Sequence, residues 1–123
     1  MAKTLLLVED MPESAELMKD MLEMEGYNVD VVGTGEEALE RASNKEYDGM
    51  VLDIMLPRVD GFEVCRRIKA NPKTAKILVI CVTAFSVPDI KQKTKKVGAE
   101  EVILKPFEPS DLLNAVRKHI PNS

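Results

Sequence analysis

Short apolar runs alternate with amphipathic stretches along the whole chain. The apolar runs are typical of buried strands, and the amphipathic stretches carry apolar residues at helical spacing. The pattern predicts five strands, at residues 4–8, 27–32, 50–52, 77–82 and 101–104. It predicts five helices after them, at residues 11–25, 35–43, 61–70, 88–97 and 110–120. Successive strand–helix units of this kind indicate an α/β fold, in which helices cover both faces of a parallel sheet.

Individual residues indicate where two of the predicted helices begin or end. Gly26 is expected to end the first helix, and Ser110 is expected to cap the start of the last one. The apolar positions of the first helix that fall at helical spacing are Leu17, Met18, Met21 and Leu22.

The composition is that of an ordinary globular domain. The 123 residues are 45% hydrophobic and 31% charged, and the formal net charge of −4 argues against a nucleic-acid-binding surface. No apolar run approaches the length needed to cross a membrane. Cys65 and Cys81 have neither metal-ligand nor redox spacing. We therefore expect them to be reduced and buried in a cytoplasmic protein without membrane insertion.

Polar side chains follow four of the five predicted strands. Glu9 and Asp10 come after the first strand, Asp53 after the third, Thr83 after the fourth and Lys105 after the fifth. The carboxyl ends of parallel strands form one edge of a sheet, where ligands of open α/β folds bind. Any one of these residues alone would usually be an ordinary surface residue, but five on one edge predict a site.

The charges at this edge suggest phosphoryl chemistry. Three crowded carboxylates repel one another, and Mg²⁺ prefers such oxygen ligands together with a phosphate. The hypothesis is that Asp10 and Glu9 hold Mg²⁺ while Asp53 is the nucleophile that forms an acyl phosphate. Thr83 and Lys105 would then bind the phosphoryl oxygens.

Five motifs resemble those of the receiver domain of two-component response regulators. They are Leu-Leu-Val-Glu-Asp at 6–10, Asp-Ile-Met-Leu-Pro at 53–57, Asp-Gly at 60–61, Val-Thr-Ala at 82–84 and Leu-Lys-Pro-Phe at 104–107. The resemblance covers residues 3–120 and implies a flavodoxin-like sheet in the order 2-1-3-4-5 with five flanking helices.

The resemblance also implies a mechanism. Asp53 would accept a phosphoryl group from a sensor histidine kinase or a histidine phosphotransfer protein. Asp10, Asp53 and the backbone carbonyl of Met55 would ligate Mg²⁺ directly, and Glu9 would act through water. Mn²⁺ could replace Mg²⁺, and the Lys105–Pro106 bond would be cis.

Some positions depart from the family pattern. Val102 stands where many receivers have an aromatic residue that reports phosphorylation. Met55 and Phe85, which flank the acceptor, cannot orient a hydrolytic water, so we expect slow self-dephosphorylation.

The same resemblance sets the expected organisation. Residues 1–123 would form a stand-alone receiver, a monomer or weak dimer without an output domain or direct nucleic-acid binding. Phosphorylation would switch the surface near the fourth and fifth strands toward a downstream protein.

Three features of the sequence allow an alternative interpretation. Gly33-Thr34-Gly35-Glu36-Glu37-Ala38 fits a dinucleotide-binding fingerprint, with Asp53 twenty residues after Gly33, but its two glutamates would repel pyrophosphate. An aspartate-dependent phosphatase would need a second acid where Met55 stands. The lysine-rich helix at 88–97 is either a solvated face or a docking surface for a partner.

Overall fold

The computed structural model describes residues 2–56, 60–83 and 89–121. Five strands are present in these ranges: β1 (Thr4–Val8), β2 (Asn28–Val32), β3 (Gly49–Asp53), β4 (Leu78–Thr83) and β5 (Glu101–Leu104). Five helices alternate with them: α1 (Pro12–Met24), α2 (Gly35–Asn44), α3 (Gly61–Ala70), α4 (Ile90–Lys96) and α5 (Pro109–His119). The predicted alternation of strands and helices is confirmed.

The strands form one parallel sheet in the order β2-β1-β3-β4-β5, as the resemblance implied. Strand β1 lies between β2 and β3. The chain therefore places β2 on one side of β1 and the later strands β3, β4 and β5 on the other side. The register pairs Val8 with Leu52, and Asp53 with Val82. The carboxyl ends of β1, β3 and β4 therefore finish side by side at one edge.

Each face of the sheet has its own apolar core, because successive side chains of a strand point to opposite faces. Leu6 and Val8 of β1 pack with residues of α2, α3 and α4. Leu5 and Leu7 of the same strand pack with residues of α1 and α5. All four side chains are fully buried, and each contributes about 1.5–3 kcal/mol to folding. These two cores hold the ends of the central strands rigidly in place.

The helix ends agree only in part with the expectations. Gly26 has a φ of 93° and its N–H donates to the carbonyl of Glu23, so it does end α1. The predicted Ser110 cap is wrong, because α5 begins one residue earlier, at Pro109. The N-cap is Glu108, whose backbone N–H donates to Asp111 Oδ2 at 2.9 Å.

Not every apolar residue at helical spacing in α1 is buried. Ala15, Met18 and Leu22 are buried, but Leu17 is 65% exposed. Leu17 follows Ala15 by two positions, which turns it away from the sheet. Helical spacing of apolar residues alone therefore does not show which of them are buried.

Strands β3 and β4 are each one residue longer at the carboxyl end than predicted. Asp53 and Thr83 are thus the last residues of their strands, not the residues after them. Their backbones still pair in the sheet, because a polar side chain at the edge does not interrupt the ladder. Helix α4 begins at Ile90, and the predicted start at Pro88 lies outside the described residues.

Three smaller features complete the fold. Cys65 and Cys81 are free and buried, as expected. The Lys105–Pro106 bond is cis, as the family resemblance implied. In the described ranges, every helix is too short or too polar to cross a lipid bilayer.

Candidate functional site

Three carboxylates converge at the carboxyl edge of the sheet. Glu9 and Asp10 follow β1, and Asp53 ends the neighbouring strand β3. One oxygen from each side chain lies within 4.8 Å of the other two. Glu9 and Asp53 are buried, whereas Asp10 is exposed. This acidic cluster (Glu9, Asp10 and Asp53) is therefore deep on one side and open to solvent on the other.

Lys105 is the cation that faces the acidic cluster. Its Nζ lies 2.9 Å from Glu9 Oε1 and 3.2 Å from Asp53 Oδ2. Its backbone N–H donates to the carbonyl of Thr83 at 2.7 Å, which holds Lys105 beside the end of β4. The lysine thus bridges the two buried carboxylates from the position directly after β5, which lies on the far side of β4.

The buried groups shift one another's pKa values. Burial raises the pKa of Asp53, and the charge of Glu9 raises it further, against the opposing effects of the Met55 N–H and Lys105. Burial also opposes ionisation of Glu9, but hydrogen bonding and charge from Lys105 outweigh it and lower the Glu9 pKa. The pKa of Lys105 is raised, because both carboxylates outweigh the effect of its burial. Glu9 and Lys105 therefore form the ionised pair, and Asp53 is the more easily protonated acid.

The backbone around Asp53 is closely packed. The Met55 N–H donates to Asp53 Oδ1 at 2.9 Å, and the Ile54 N–H donates to the carbonyl of Val82 at 3.0 Å. Gly61 donates its N–H to the carbonyl of Ile54 at 3.0 Å. A Cβ on Gly61 would lie 2.9 Å from the Asp53 carbonyl oxygen, which is too close for a side chain. Glycine at this position lets α3 begin directly against the end of β3.

The donor set fits a divalent cation. The acidic cluster offers only carboxylate oxygens, the ligands that hard cations such as Mg²⁺ prefer. When all three acids are ionised, Lys105 balances one negative charge and leaves two. Asp10 provides the solvent-facing side through which a hydrated ion can enter.

The predicted site residues are brought together to different extents. Glu9, Asp10, Asp53 and Lys105 meet at one point. Thr83 is buried at the end of β4, one position beyond the residue that pairs with Asp53.

For two further predicted residues, Met55 and Phe85, the structure describes no contact that tests the predicted role. The ligand role of the Met55 carbonyl stays a prediction, because the described contact of Met55 is made by its N–H. Phe85 lies outside the described residues.

Sequence reasoning missed Ser14, whose hydroxyl donates to Glu9 Oε1 at 3.1 Å. The position of Ser14 in the first turn after the acidic pair is the signal that could have found it. Gly61 belongs to the Asp-Gly motif at 60–61, and its close approach to Asp53 gives it a physical role.

The structure argues against the dinucleotide reading of Gly33 and Gly35. These residues follow β2, which is an edge strand, whereas Asp53 ends β3, and β1 lies between the two strands. The N-terminus of α2 is also occupied, since Thr34 Oγ1 accepts the Glu37 N–H at 3.1 Å. A pyrophosphate would find neither the free helix end nor the neighbouring acid that the fingerprint requires.

A parallel sheet in this order, with three acids and a lysine at its carboxyl edge, has the flavodoxin-like architecture in which ligands bind beyond the ends of the strands. The family model described as the response regulator receiver domain matches residues 5–117, and the chain belongs to this family. Receiver domains are signalling modules that interact with histidine kinases.

Relatives of known sequence and structure agree with this assignment. The response regulator ArlR of Staphylococcus saprophyticus is 38% identical over 113 residues, which are 92% of this chain and 50% of that protein. The chain therefore spans about half the length of the curated relatives it matches. The receiver domain of a signal transduction histidine kinase from Syntrophus aciditrophicus superposes with a TM-score of 0.89 at 34% identity, covering 97% of this chain and 90% of that one.

A third relative carries a metal. The receiver domain of the sensor histidine kinase PA1611 from Pseudomonas aeruginosa PAO1 has a magnesium ion coordinated in its active-site cleft. It superposes with a TM-score of 0.88 at 28% identity and covers 98% of each chain.

Proposed function

We propose that this protein is a phosphoacceptor of a two-component system, in which Asp53 receives the phosphoryl group. The observation that carries the proposal is the placement of Asp53 beside Lys105 within the acidic cluster. The donor is a phosphohistidine of a sensor histidine kinase or of a histidine phosphotransfer protein.

The transfer exchanges one phosphorus bond for another. An Asp53 carboxylate oxygen forms a bond to phosphorus as the phosphorus–nitrogen bond of the donor breaks. The imidazole nitrogen keeps the electron pair of that bond and takes up a proton. Because the attacking and leaving atoms need only alignment and charge neutralisation, the protein acts mainly by positioning them.

Asp10, Asp53 and the Met55 carbonyl would hold Mg²⁺ directly, and Glu9 would hold it through water. The bound ion would neutralise charge on the phosphoryl oxygens during transfer. Its carboxylate ligands support this assignment, as does the magnesium ion in the PA1611 receiver domain. Replacement by Mn²⁺, which accepts similar oxygen ligands, stays a prediction.

Lys105 and Thr83 would bind the phosphoryl group once it is on Asp53. The Lys105 ammonium already lies within hydrogen-bond distance of Asp53 Oδ2, so it needs only a small movement to reach a phosphoryl oxygen. Thr83 ends the strand next to Asp53 and carries the hydroxyl donor. A charge-assisted hydrogen bond from lysine is among the stronger contacts a phosphate can receive.

The switch surface of this proposal is formed by α4 and β5. Thr83 and Lys105 sit at the ends of β4 and β5, so their movement toward a phosphoryl group shifts the neighbouring backbone. Val102 on β5 is half-buried and takes the place of the usual aromatic reporter. The exposed lysines of α4 border this surface, which we propose contacts a downstream protein in the cytoplasm. The monomeric or weakly dimeric state of the protein stays a prediction.

Phosphorylation by acetyl phosphate in the presence of Mg²⁺ tests the acceptor. The wild-type protein should gain one phosphoryl group by intact-mass measurement, and Asp53→Asn should gain none. Asp20→Asn, an exposed acid on α1, is the matched control and should label like the wild type. Labelling of Asp53→Asn at the wild-type rate would show that another residue is the acceptor.

A further inference from the structure

We propose that Ser14 is a positioning residue that holds the Glu9 carboxylate in place for cation binding and phosphoryl transfer. The inference rests on the proposed function, in which Glu9 serves the metal through water. It assigns a role to a hydroxyl on α1 that lies outside the motifs of the acidic cluster.

The contacts of Glu9 account for both of its oxygens. Oε1 accepts from Ser14 Oγ at 3.1 Å and from Lys105 Nζ at 2.9 Å. Oε2 accepts from the Met11 N–H at 3.3 Å. The Glu9 side chain is fully buried, so bulk water cannot replace a missing donor without entering the site. Each donor therefore fixes the direction in which the carboxylate points.

The start of α1 explains why a serine can reach Glu9. The N-cap residue Met11 has no side chain able to cap the helix. The Glu9 carboxylate lies at this end instead and accepts from the Met11 N–H and from Ser14, the third residue of α1. The positive end of the helix dipole favours a carboxylate at this point. Ser14 and the first turn of α1 thus form one binding place for Glu9.

The Lys105 ammonium cannot hydrogen-bond to Glu9, Asp53 and a phosphoryl group with equal strength. In the structure it bridges Glu9 and Asp53. When it turns toward a phosphoryl group on Asp53, Glu9 Oε1 loses the shorter of its two hydrogen bonds. The Ser14 hydroxyl does not depend on that movement and keeps Oε1 in place. Ser14 is therefore the donor that maintains the geometry of Glu9 through the reaction.

Three variants separate this role from simple support of the helix. Ser14→Ala removes the hydroxyl and places a better helix former in α1, so the variant should fold. Ser14→Thr keeps a hydroxyl. Ser43→Ala is the matched control, because the Ser43 hydroxyl donates to the Glu40 carbonyl within α2, at an exposed position away from the site.

The first readout is the Mg²⁺ Kd of each variant, which is measured from amide chemical shifts in an NMR titration. Loss of a partner that orients a metal-binding group costs about tenfold or more in affinity, so Ser14→Ala should raise the Mg²⁺ Kd roughly tenfold. Ser14→Thr should restore most of it, and Ser43→Ala should match the wild type. The second readout is the rate of phosphorylation by acetyl phosphate against Mg²⁺ concentration. Ser14→Ala should need more Mg²⁺ for half-maximal rate.

The outcomes distinguish a failure of the inferred Ser14 role from a failure of the proposed function. Wild-type Mg²⁺ affinity in Ser14→Ala, or an equal loss in Ser43→Ala, overturns the role of Ser14 while leaving the proposed function intact. A failure of Ser14→Thr to restore binding also overturns it. A wild-type protein that shows no response to Mg²⁺ contradicts the proposed function itself, and the role of Ser14 with it.

Discussion

The Lys105 ammonium lies 2.9 Å from the Glu9 carboxylate, although 96 positions separate the two residues in the chain. The same ammonium occupies one oxygen of Asp53. It therefore competes with a metal ion for the acidic cluster, and it also provides the positive charge that meets the phosphoryl group.

Lys105→Ala should separate these two roles. Removal of the competing ammonium should strengthen Mg²⁺ binding severalfold, because the carboxylates lose a neighbouring positive charge. Loss of the charged donor should slow phosphorylation by acetyl phosphate about a hundredfold. Mg²⁺ titration by NMR and intact-mass kinetics measure the two effects. Lys73→Ala, on the exposed loop before β4, should change neither, and weaker Mg²⁺ binding by Lys105→Ala would contradict the competition.

Met55→Asn should shorten the lifetime of the phosphorylated protein. Met55 is 54% exposed two residues after the acceptor, and its thioether cannot orient an attacking water as an amide can. The wild type should lose its phosphoryl group slowly, and the variant should lose it severalfold faster. Decay of the phosphorylated mass after removal of acetyl phosphate gives both half-lives.

The matched control for this prediction is Met24→Asn, which changes an exposed methionine at the end of α1. Its half-life should equal that of the wild type. A wild-type half-life of only seconds would show that a water is already well oriented despite Met55.

Gly61→Ala should destabilise the protein and impair the site together. The new Cβ would lie 2.9 Å from the Asp53 carbonyl oxygen and 3.0 Å from that of Ile54, and backbone atoms cannot move aside cheaply. Overpacking of this kind costs about 1–3 kcal/mol of the free energy of unfolding. Urea unfolding measures the loss, and phosphorylation kinetics report the displacement of Asp53.

Gly33→Ala makes the same chemical change where there is room. The nearest atoms to its Cβ would be 4.0 Å away, so the free energy of unfolding should change by no more than about 0.5 kcal/mol. Equal destabilisation by the two alanines would refute the explanation based on close approach.

Tyr47→Phe should lower stability in a pH-dependent way. The Tyr47 hydroxyl donates to Asp30 Oδ2 at 2.7 Å. Burial, together with this bond, raises the pKa of Tyr47 to about 12, from an ordinary value of about 10. Because the folded state binds the proton more tightly, this contribution is complete below pH 10 and is lost as the pH rises toward 12.

The wild type should therefore exceed Tyr47→Phe by about 1.5–3 kcal/mol at neutral pH, the value of a hydrogen bond to a charged acceptor. Urea unfolding from pH 8 to pH 12 should show the difference shrinking across the upper two units. Tyr27→Phe removes a bond to the neutral carbonyl of Ile120 and should cost less, about 1 kcal/mol. A constant difference between wild type and Tyr47→Phe across this range would contradict the assigned pKa.

The sequence was sufficient for the sheet and for the main contacts of the site. Buried parallel strands need apolar residues on both faces, so β1, β3 and β4 are visible as unbroken apolar runs. The residues at the carboxyl ends of parallel strands must meet at one edge, so the sequence predicts that Glu9, Asp53 and Lys105 lie close together.

Features that depend on how helices settle against the sheet were not predictable in this way. The outward direction of Leu17 and the contact of Ser14 with Glu9 both follow from the rotation of α1 about its axis. The start of α5 at Pro109 reflects competition between neighbouring capping residues. The misleading fingerprint at Gly33 shows the same limit, because a local motif does not reveal which strands are neighbours.

The separation of Glu9 and Lys105 along the chain also sets the order in which the protein acquires its chemistry during synthesis. Strand β1 and the two acids that follow it leave the ribosome before Asp53, and Asp53 leaves before Lys105. The acids remain without their lysine until residue 105 has emerged and β5 has joined the sheet. A nascent chain halted before that point would carry Asp53 but no competent phosphoryl-binding pocket, so signalling competence would arise only after Lys105 has left the ribosome.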